Sequence, residues 1–403
     1  MLLSSKFEPV VPATEILSKA VQEVRSQGKH VMSLTGGDPS AYGFHPPKLV
    51  QEALKKALDD NYHMYPLGSG ALPKLRQAIA EREKKVHGVD YDPDDIVITP
   101  GSTQAQTLAF LTLLDTGDEL LSPEPTYQQY FFYTAYMKSK ISTVISMEDE
   151  DWRVDLDELR SKMTRRTKGI IINNPNNPTG AVYDEKTLKG ITNIAGEYDI
   201  PVIADEVYDM CTFDGMKAVS VASVAGDVPV IVTNGPAKSF MTTGWRCGYL
   251  AVHDPAEKIK NFTEAVRVLD AVTGDVATPI TVAITVGYQN WDKCMKHLEV
   301  MRSHLQKARD LTVKRLNEIN GITANSPKGA MYAFPKVDAI GKRWKNDTEF
   351  MLDLVKQKQV IFVQGSNYGS RTGFGHFRAL LLPSLQDLEE VYDRLESFMK
   401  TNT

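Results

Sequence analysis

Short apolar runs rich in valine and isoleucine recur through the middle of the chain, at 96–99, 119–122, 141–146, 169–173, 202–205, 230–234 and 248–252. Glycine, proline, asparagine or aspartate closes each run. Amphipathic stretches with helical spacing separate most of them, near 102–114, 155–163 and 184–198. A strand buried on both faces reads as a continuous apolar run. Alternation of such runs with helices predicts a mostly parallel sheet covered on both sides. The expected fold class is α/β, with a large unit built on a seven-stranded, mostly parallel sheet.

Beyond residue 252 the pattern changes. Charged helices are expected at 256–270 and 292–320, strand-like pieces at 330–334 and 360–364, and a last helix at 386–400. This predicts a smaller α+β unit. The start of the chain lacks strand–helix alternation and is expected to join it. The expected division is 1–45 for an N-terminal arm and part of the small unit, 46–285 for the large unit, and 286–403 for the rest of the small unit.

Composition mainly excludes. With 42% hydrophobic and 24% charged residues, the chain has the balance of a globular protein, not a disordered or collagen-like one. A net charge of -5 and the lack of a basic stripe argue against a nucleic-acid partner. Cys211, Cys247 and Cys294 lie far apart, with no CxxC or Cys/His cluster, so neither a zinc site nor a disulfide framework is expected. No apolar run reaches the length of about 18 residues that a membrane span needs. Residues 1–6 do not read as a secretory leader. A soluble cytoplasmic protein is the expectation, with no membrane partner.

In an open parallel sheet, ligands sit beyond the carboxyl ends of the strands. The residues that follow the runs are therefore the candidates. They are Gly101-Ser102-Thr103-Gln104, Pro123-Glu124-Pro125-Thr126-Tyr127, Asn174 to Gly180, Asp205-Glu206-Val207-Tyr208 and Gly235-Pro236-Ala237-Lys238. Taken singly, each is also ordinary turn or cap chemistry: Ser102 and Asp205 suit helix starts, and Asn177-Pro178 suits a turn. Lys238 stands apart, a lysine in a stretch poor in charge just past a strand.

The segments Asn174-Pro175-Asn176-Asn177-Pro178-Thr179-Gly180, Ala204-Asp205-Glu206-Val207-Tyr208, Ala237-Lys238-Ser239-Phe240 and Gly244-Trp245-Arg246-Cys247-Gly248-Tyr249, with the late Arg378, occur in one order. Together they resemble the class I/II aminotransferases, pyridoxal 5′-phosphate (PLP) enzymes of fold type I, from about residue 30 to about residue 395. The resemblance implies that Lys238 binds the cofactor aldehyde and moves the proton during the reaction. It implies that Asp205 pairs with the pyridine nitrogen, that Tyr208 and Asn177 bond the ring oxygen, and that Tyr127 stacks on the ring. Ser102, Thr103 and Gln104 at a helix start, and Arg246 as a bidentate clamp, would hold the phosphate. Tyr65 matches a tyrosine that reaches the neighbouring subunit's phosphate, which implies a homodimer with shared sites. Arg378 would take the substrate α-carboxylate, with Gly37 and Asn177 beside it. Glu124-Pro125 and Asn177-Pro178 match positions with cis peptide bonds.

The implied reaction moves an amino group between an L-amino acid and a 2-oxo acid by a ping-pong mechanism. Gly37-Asp38-Pro39, Tyr42-Gly43-Phe44 and Lys328-Gly329-Ala330-Met331-Tyr332-Ala333-Phe334 are most similar to alanine (glutamate–pyruvate) aminotransferases. Aspartate-type relatives add an arginine shortly before the segment matching Thr278-Pro279. Here no arginine lies between Val268 and Pro279, so a side-chain carboxylate entering a closed site finds no cation to offset its desolvation. Alanine with 2-oxoglutarate is the expected pair. Gly235 stands where many relatives carry a phosphate-binding serine, which resembles tyrosine enzymes and keeps aspartate, aromatic or broad specificity as the alternative. A PLP-dependent β-lyase and a regulatory protein on this fold are the more distant ones.

Overall fold

In the computed structural model, which describes residues 12–403, eight strands form one sheet. They are β1 (Ile96–Thr99), β2 (Glu119–Glu124), β3 (Lys140–Met147), β4 (Arg153–Val154), β5 (Thr167–Asn173), β6 (Val202–Asp205), β7 (Val230–Asn234) and β8 (Gly248–His253). Their spatial order is β1-β8-β7-β6-β5-β2-β3-β4. Strands β3, β2, β5, β6 and β7 run parallel. Strand β8 lies antiparallel between β7 and β1, and β4 is antiparallel to β3. The seven apolar runs are seven of these strands. The eighth, β4, corrects the expected count: it is two residues folded back on β3, with Ser146 opposite Val154, too short to leave a hydrophobic pattern.

Strands β1, β2, β6 and β7 are buried along their whole length, which is why they read as unbroken apolar runs. Alternate residues leave the sheet on opposite faces. Val202 and Ala204 pack with residues of the helices Ala71–His87, Glu185–Glu197 and Thr278–Gln289. Ile203 packs on the other face, with residues of Ser102–Leu113 and Phe262–Thr273. Asp205 follows Ile203 by two and belongs to that second face.

A further apolar core joins the two ends of the chain. It places Leu17, Val24 and Leu34 with Leu305, Phe350, Phe377 and Leu395. Met32–Ser33 pairs in parallel with Val360–Ile361. Tyr332–Ala333 and Val363–Gln364 flank Phe377–Leu380 antiparallel. The single strand expected at 360–364 is broken at Phe362, because its two halves pair with different partners. The helix expected at 256–270 is Phe262–Thr273. The Asp254 carboxylate accepts from the backbone N–H groups of Lys258 and Ile259 and keeps the preceding residues in a turn. Residues 1–11, including the leader reading at 1–6, lie outside the described residues. Among the described residues no helix is long and apolar enough to cross a membrane.

Gly248 lets β8 approach the Gly101-Ser102 turn, where a Cβ would overlap the Ser102 nitrogen and the Gly101 backbone. Gly248→Ala is expected to cost about 2 kcal/mol or more, the scale of forced overpacking. Gly36→Ala, where a Cβ meets nothing, serves as the control. Chemical denaturation checks this; a loss below about 0.5 kcal/mol, the range of neutral substitutions, would show that the close approach sets no limit.

Candidate active site

The carboxyl ends of β1, β2, β5, β6 and β7 open on one cavity of about 450 Å³. Ten of the twelve expected residues line it: Gly37, Ser102, Thr103, Tyr127, Asn177, Asp205, Tyr208, Lys238, Arg246 and Arg378. Gln104 does not. Its side-chain nitrogen donates to the Thr273 hydroxyl at 2.8 Å. Helical phase is the reason: Ser102, Thr103 and Gln106 share a face, and Gln104 falls off it. Gln106 takes the place in the cavity wall. Tyr65 is 84% exposed and lies with Met64, Thr278 and Pro279 along a separate depression.

Asp205 is buried at the end of β6. The Tyr130 hydroxyl donates to one carboxylate oxygen at 2.5 Å, and the Val207 N–H to the other at 3.4 Å. Desolvation outweighs these bonds and pushes the carboxyl up to about 6. From the next strand, β7, the short helix Pro236–Ser239 carries Lys238. Its ammonium donates to the Gly37 carbonyl at 2.5 Å and lies 5.7 Å from the centre of the Tyr208 ring.

The helix Ser102–Leu113 starts at Gly101 with no side-chain cap, so its first amide N–H groups are available to an anion. The Arg246 guanidinium lies against Gly101, where a Cβ would strike it. Arg246 itself is held by a bond to the Thr243 carbonyl at 2.9 Å. Across the cavity, Arg378 donates to Asn177 Oδ1 at 3.0 Å and to the Thr35 carbonyl. Its Nε is buried and has no hydrogen-bond partner among the described residues. An uncapped helix start with one arginine suits a phosphate, and a buried guanidinium suits a carboxylate.

Glu124-Pro125 is cis, as expected. The second cis bond is Asn174-Pro175, not Asn177-Pro178. The segment holds two Asn-Pro pairs three residues apart, and the Asn177 N–H is tied to Asn173 Oδ1 at 2.6 Å within the turn. Sequence reasoning missed Tyr130, Gln106, Thr243 and Tyr332. Tyr130 follows Tyr127 by one helical turn, and that spacing could have found it. Tyr332 lay in a segment valued only for its general likeness.

The family described as aminotransferase class I and II matches residues 29–395. The chain belongs to this family. An alanine aminotransferase from Pyrococcus furiosus has a structure with a TM-score of 0.93 and 43% identity, covering 99% of this chain and 100% of that one. Aromatic-amino-acid aminotransferase 2 of Thermococcus litoralis is 34% identical over 403 residues, 99% of each chain. An aspartate aminotransferase of Pyrococcus horikoshii is 32% identical over 378 residues, 94% of this chain and 93% of that protein. The fold is that of the fold type I aminotransferases, and the protein is an aminotransferase.

The pKa of Asp205 gives the aminotransferase a pH signature. The folded carboxyl is raised from 3.8 to about 6 by burial, so the folded state binds this proton more tightly than the unfolded one. Its contribution is present below the unfolded value and lost as pH rises through the folded one. In protein free of ligand, Asp205→Asn is therefore expected to add up to about 3 kcal/mol of stability at pH 8 and little at pH 4. Denaturant titrations at both pH values check this, and an equal effect at both would contradict it.

Proposed function

We propose that this aminotransferase uses PLP and prefers to exchange alanine and 2-oxoglutarate for pyruvate and glutamate. The observation that carries the reading is a buried carboxylate with no ion pair among the described residues, Asp205, facing one cavity with Lys238, Arg378 and an uncapped helix start. These donors and acceptors match a pyridinium, an aldehyde, a carboxylate and a phosphate in turn. Gly101 leaves room where a side chain would strike Arg246.

When bound, PLP supplies an aldehyde that joins to amines and a ring that takes up the electron pair left at Cα. The side chains supply the rest. Asp205 would keep the ring nitrogen protonated, and that cation would offset the desolvation of Asp205. Ser102, Thr103 and Arg246 would hold the phosphate. Tyr208 and Asn177 would engage the ring oxygen, and Tyr127 would cover the ring. Lys238 Nζ would take the proton from the substrate Cα as general base and return it, as general acid, to the carbon of the former aldehyde two atoms away. Arg378 receives the α-carboxylate beside Gly37.

Alanine is favoured by the likeness to the Pyrococcus furiosus enzyme and by the arginine-free segment from 268 to 279. The nearest arginine, Arg267, is engaged by Asp94 and Glu264. The aspartate and aromatic relatives support the second reading, a different or broader amino donor. A homodimer is part of the proposal: Met64, Tyr65, Val268 and Val272 are apolar and exposed, and a second copy covering them would bring Tyr65 to its neighbour's phosphate. The three cysteines are free and buried, which suits the reducing cytoplasm.

A comparison of kcat/KM for alanine, aspartate and tyrosine with 2-oxoglutarate tests the specificity. Alanine is expected to lead. Aspartate or tyrosine ahead by tenfold, about 1.4 kcal/mol of transition-state preference, overturns the alanine assignment. Lys238→Ala is expected to lower turnover by about 10⁴ or more; a variant with normal turnover overturns the mechanism.

A further inference from the structure

Tyr332 has no part in the reading above, yet it touches three residues that do. Its hydroxyl is 2.9 Å from that of Tyr208. Its ring lies 4.1 Å from the Arg378 guanidinium carbon. A Cβ on Gly37 would run into its hydroxyl. The strands fix this geometry: Tyr332 is paired with Leu380 on the strand that carries Arg378, so Tyr332 and Arg378 are diagonal neighbours on one face. Both tyrosines are buried, Tyr332 at 2% exposure and Tyr208 at 4%.

We propose that Tyr332 is a positioning residue of the aminotransferase: its ring aligns the Arg378 guanidinium, and its hydroxyl shares a hydrogen bond with that of Tyr208 and fixes that phenol in the cavity. The proposal rests on the PLP reading of the site. Among the described residues Arg378 has two hydrogen bonds to oxygen and an Nε without a partner. The face of an aromatic ring is what stops such a planar group from turning. The Tyr208 and Tyr332 hydroxyls, 2.9 Å apart, share one hydrogen bond, and its loss would leave the Tyr208 phenol free to turn away from a bound ring oxygen. The Tyr332 hydroxyl also closes the space beside Gly37, which suits a small substrate side chain.

Two substitutions separate ring from hydroxyl. Protein reconstituted with PLP is titrated by absorbance, and KM for alanine is measured in parallel. Tyr332→Phe is expected to raise the pH of the colour change by about half a unit or more, the scale of one weakened hydrogen bond, with KM within about twofold. Tyr332→Leu, which also removes the ring, is expected to raise KM for alanine and the inhibition constant of acetate about fivefold or more. An unchanged titration in Tyr332→Phe, or unchanged constants in Tyr332→Leu, overturns the proposal. A third measurement uses no cofactor. Gly37→Ala should lower the thermal stability of the ligand-free protein, and Tyr332→Phe in the same chain should restore part of the loss; no restoration overturns the contact on which the proposal stands. A wild-type protein that shows no cofactor band tells against the PLP reading, while the Gly37–Tyr332 pair still decides whether the contact exists.

Discussion

Asp205 ends β6 where packed helices exclude water from both faces of the sheet, and the hydrogen bonds from Tyr130 and Val207 with the Lys238 charge nearby do not offset its burial. A carboxylate in that position costs free energy until a cation meets it. The sheet accepts the cost because β6 is central and rigid. Its neighbour β7 delivers Lys238, and its neighbour β5 delivers Asn177, from the same edge. The positions of the remaining groups follow from this one: an anion-receptive helix start after β1, and an aromatic residue after β2.

The other half of the site comes from segments remote in the chain. Gly37, Tyr332 and Arg378 belong to the part whose core joins both ends of the sequence. Three carboxylates, at the end of β2, just after β3 and in the helix Leu156–Ser161, tie that part to the large sheet. Glu124 accepts from the Arg371 and Thr372 N–H groups at 2.6 and 2.8 Å, Glu158 from the Arg371 side chain at 2.7 Å, and Glu148 from His376 at 3.2 Å. All of these bonds fall on the residues just before Arg378. The arginine is therefore placed by its own strand and by the neighbouring sheet together.

The large sheet was legible because strands covered on both faces must be apolar throughout. Seven runs located seven strands within two residues, the strand ends pointed to Ser102, Thr103, Tyr127, Asn177, Asp205, Tyr208 and Lys238, and the family resemblance added Gly37, Arg246 and Arg378. What was illegible has local causes. Strand β4 is too short to carry a period. Gln104 sits in the right segment but on the wrong face of its helix, which a motif does not reveal and helical phase does. Two Asn-Pro pairs stand three residues apart in one segment, and a motif match alone does not say which of them is cis. Tyr332 acts through a contact across 124 residues of sequence, a distance at which no spacing rule reaches, whereas Tyr130 was within reach of its spacing from Tyr127.

The central claim is that one lysine, Lys238, meets the cofactor opposite a buried carboxylate. Borohydride reduction of the protein after incubation with PLP, followed by digestion and mass spectrometry of the peptides, tests it most directly. The account predicts one pyridoxyl group per chain, on the peptide containing Lys238. A label confined to another lysine, or no stoichiometric label at all, would contradict it.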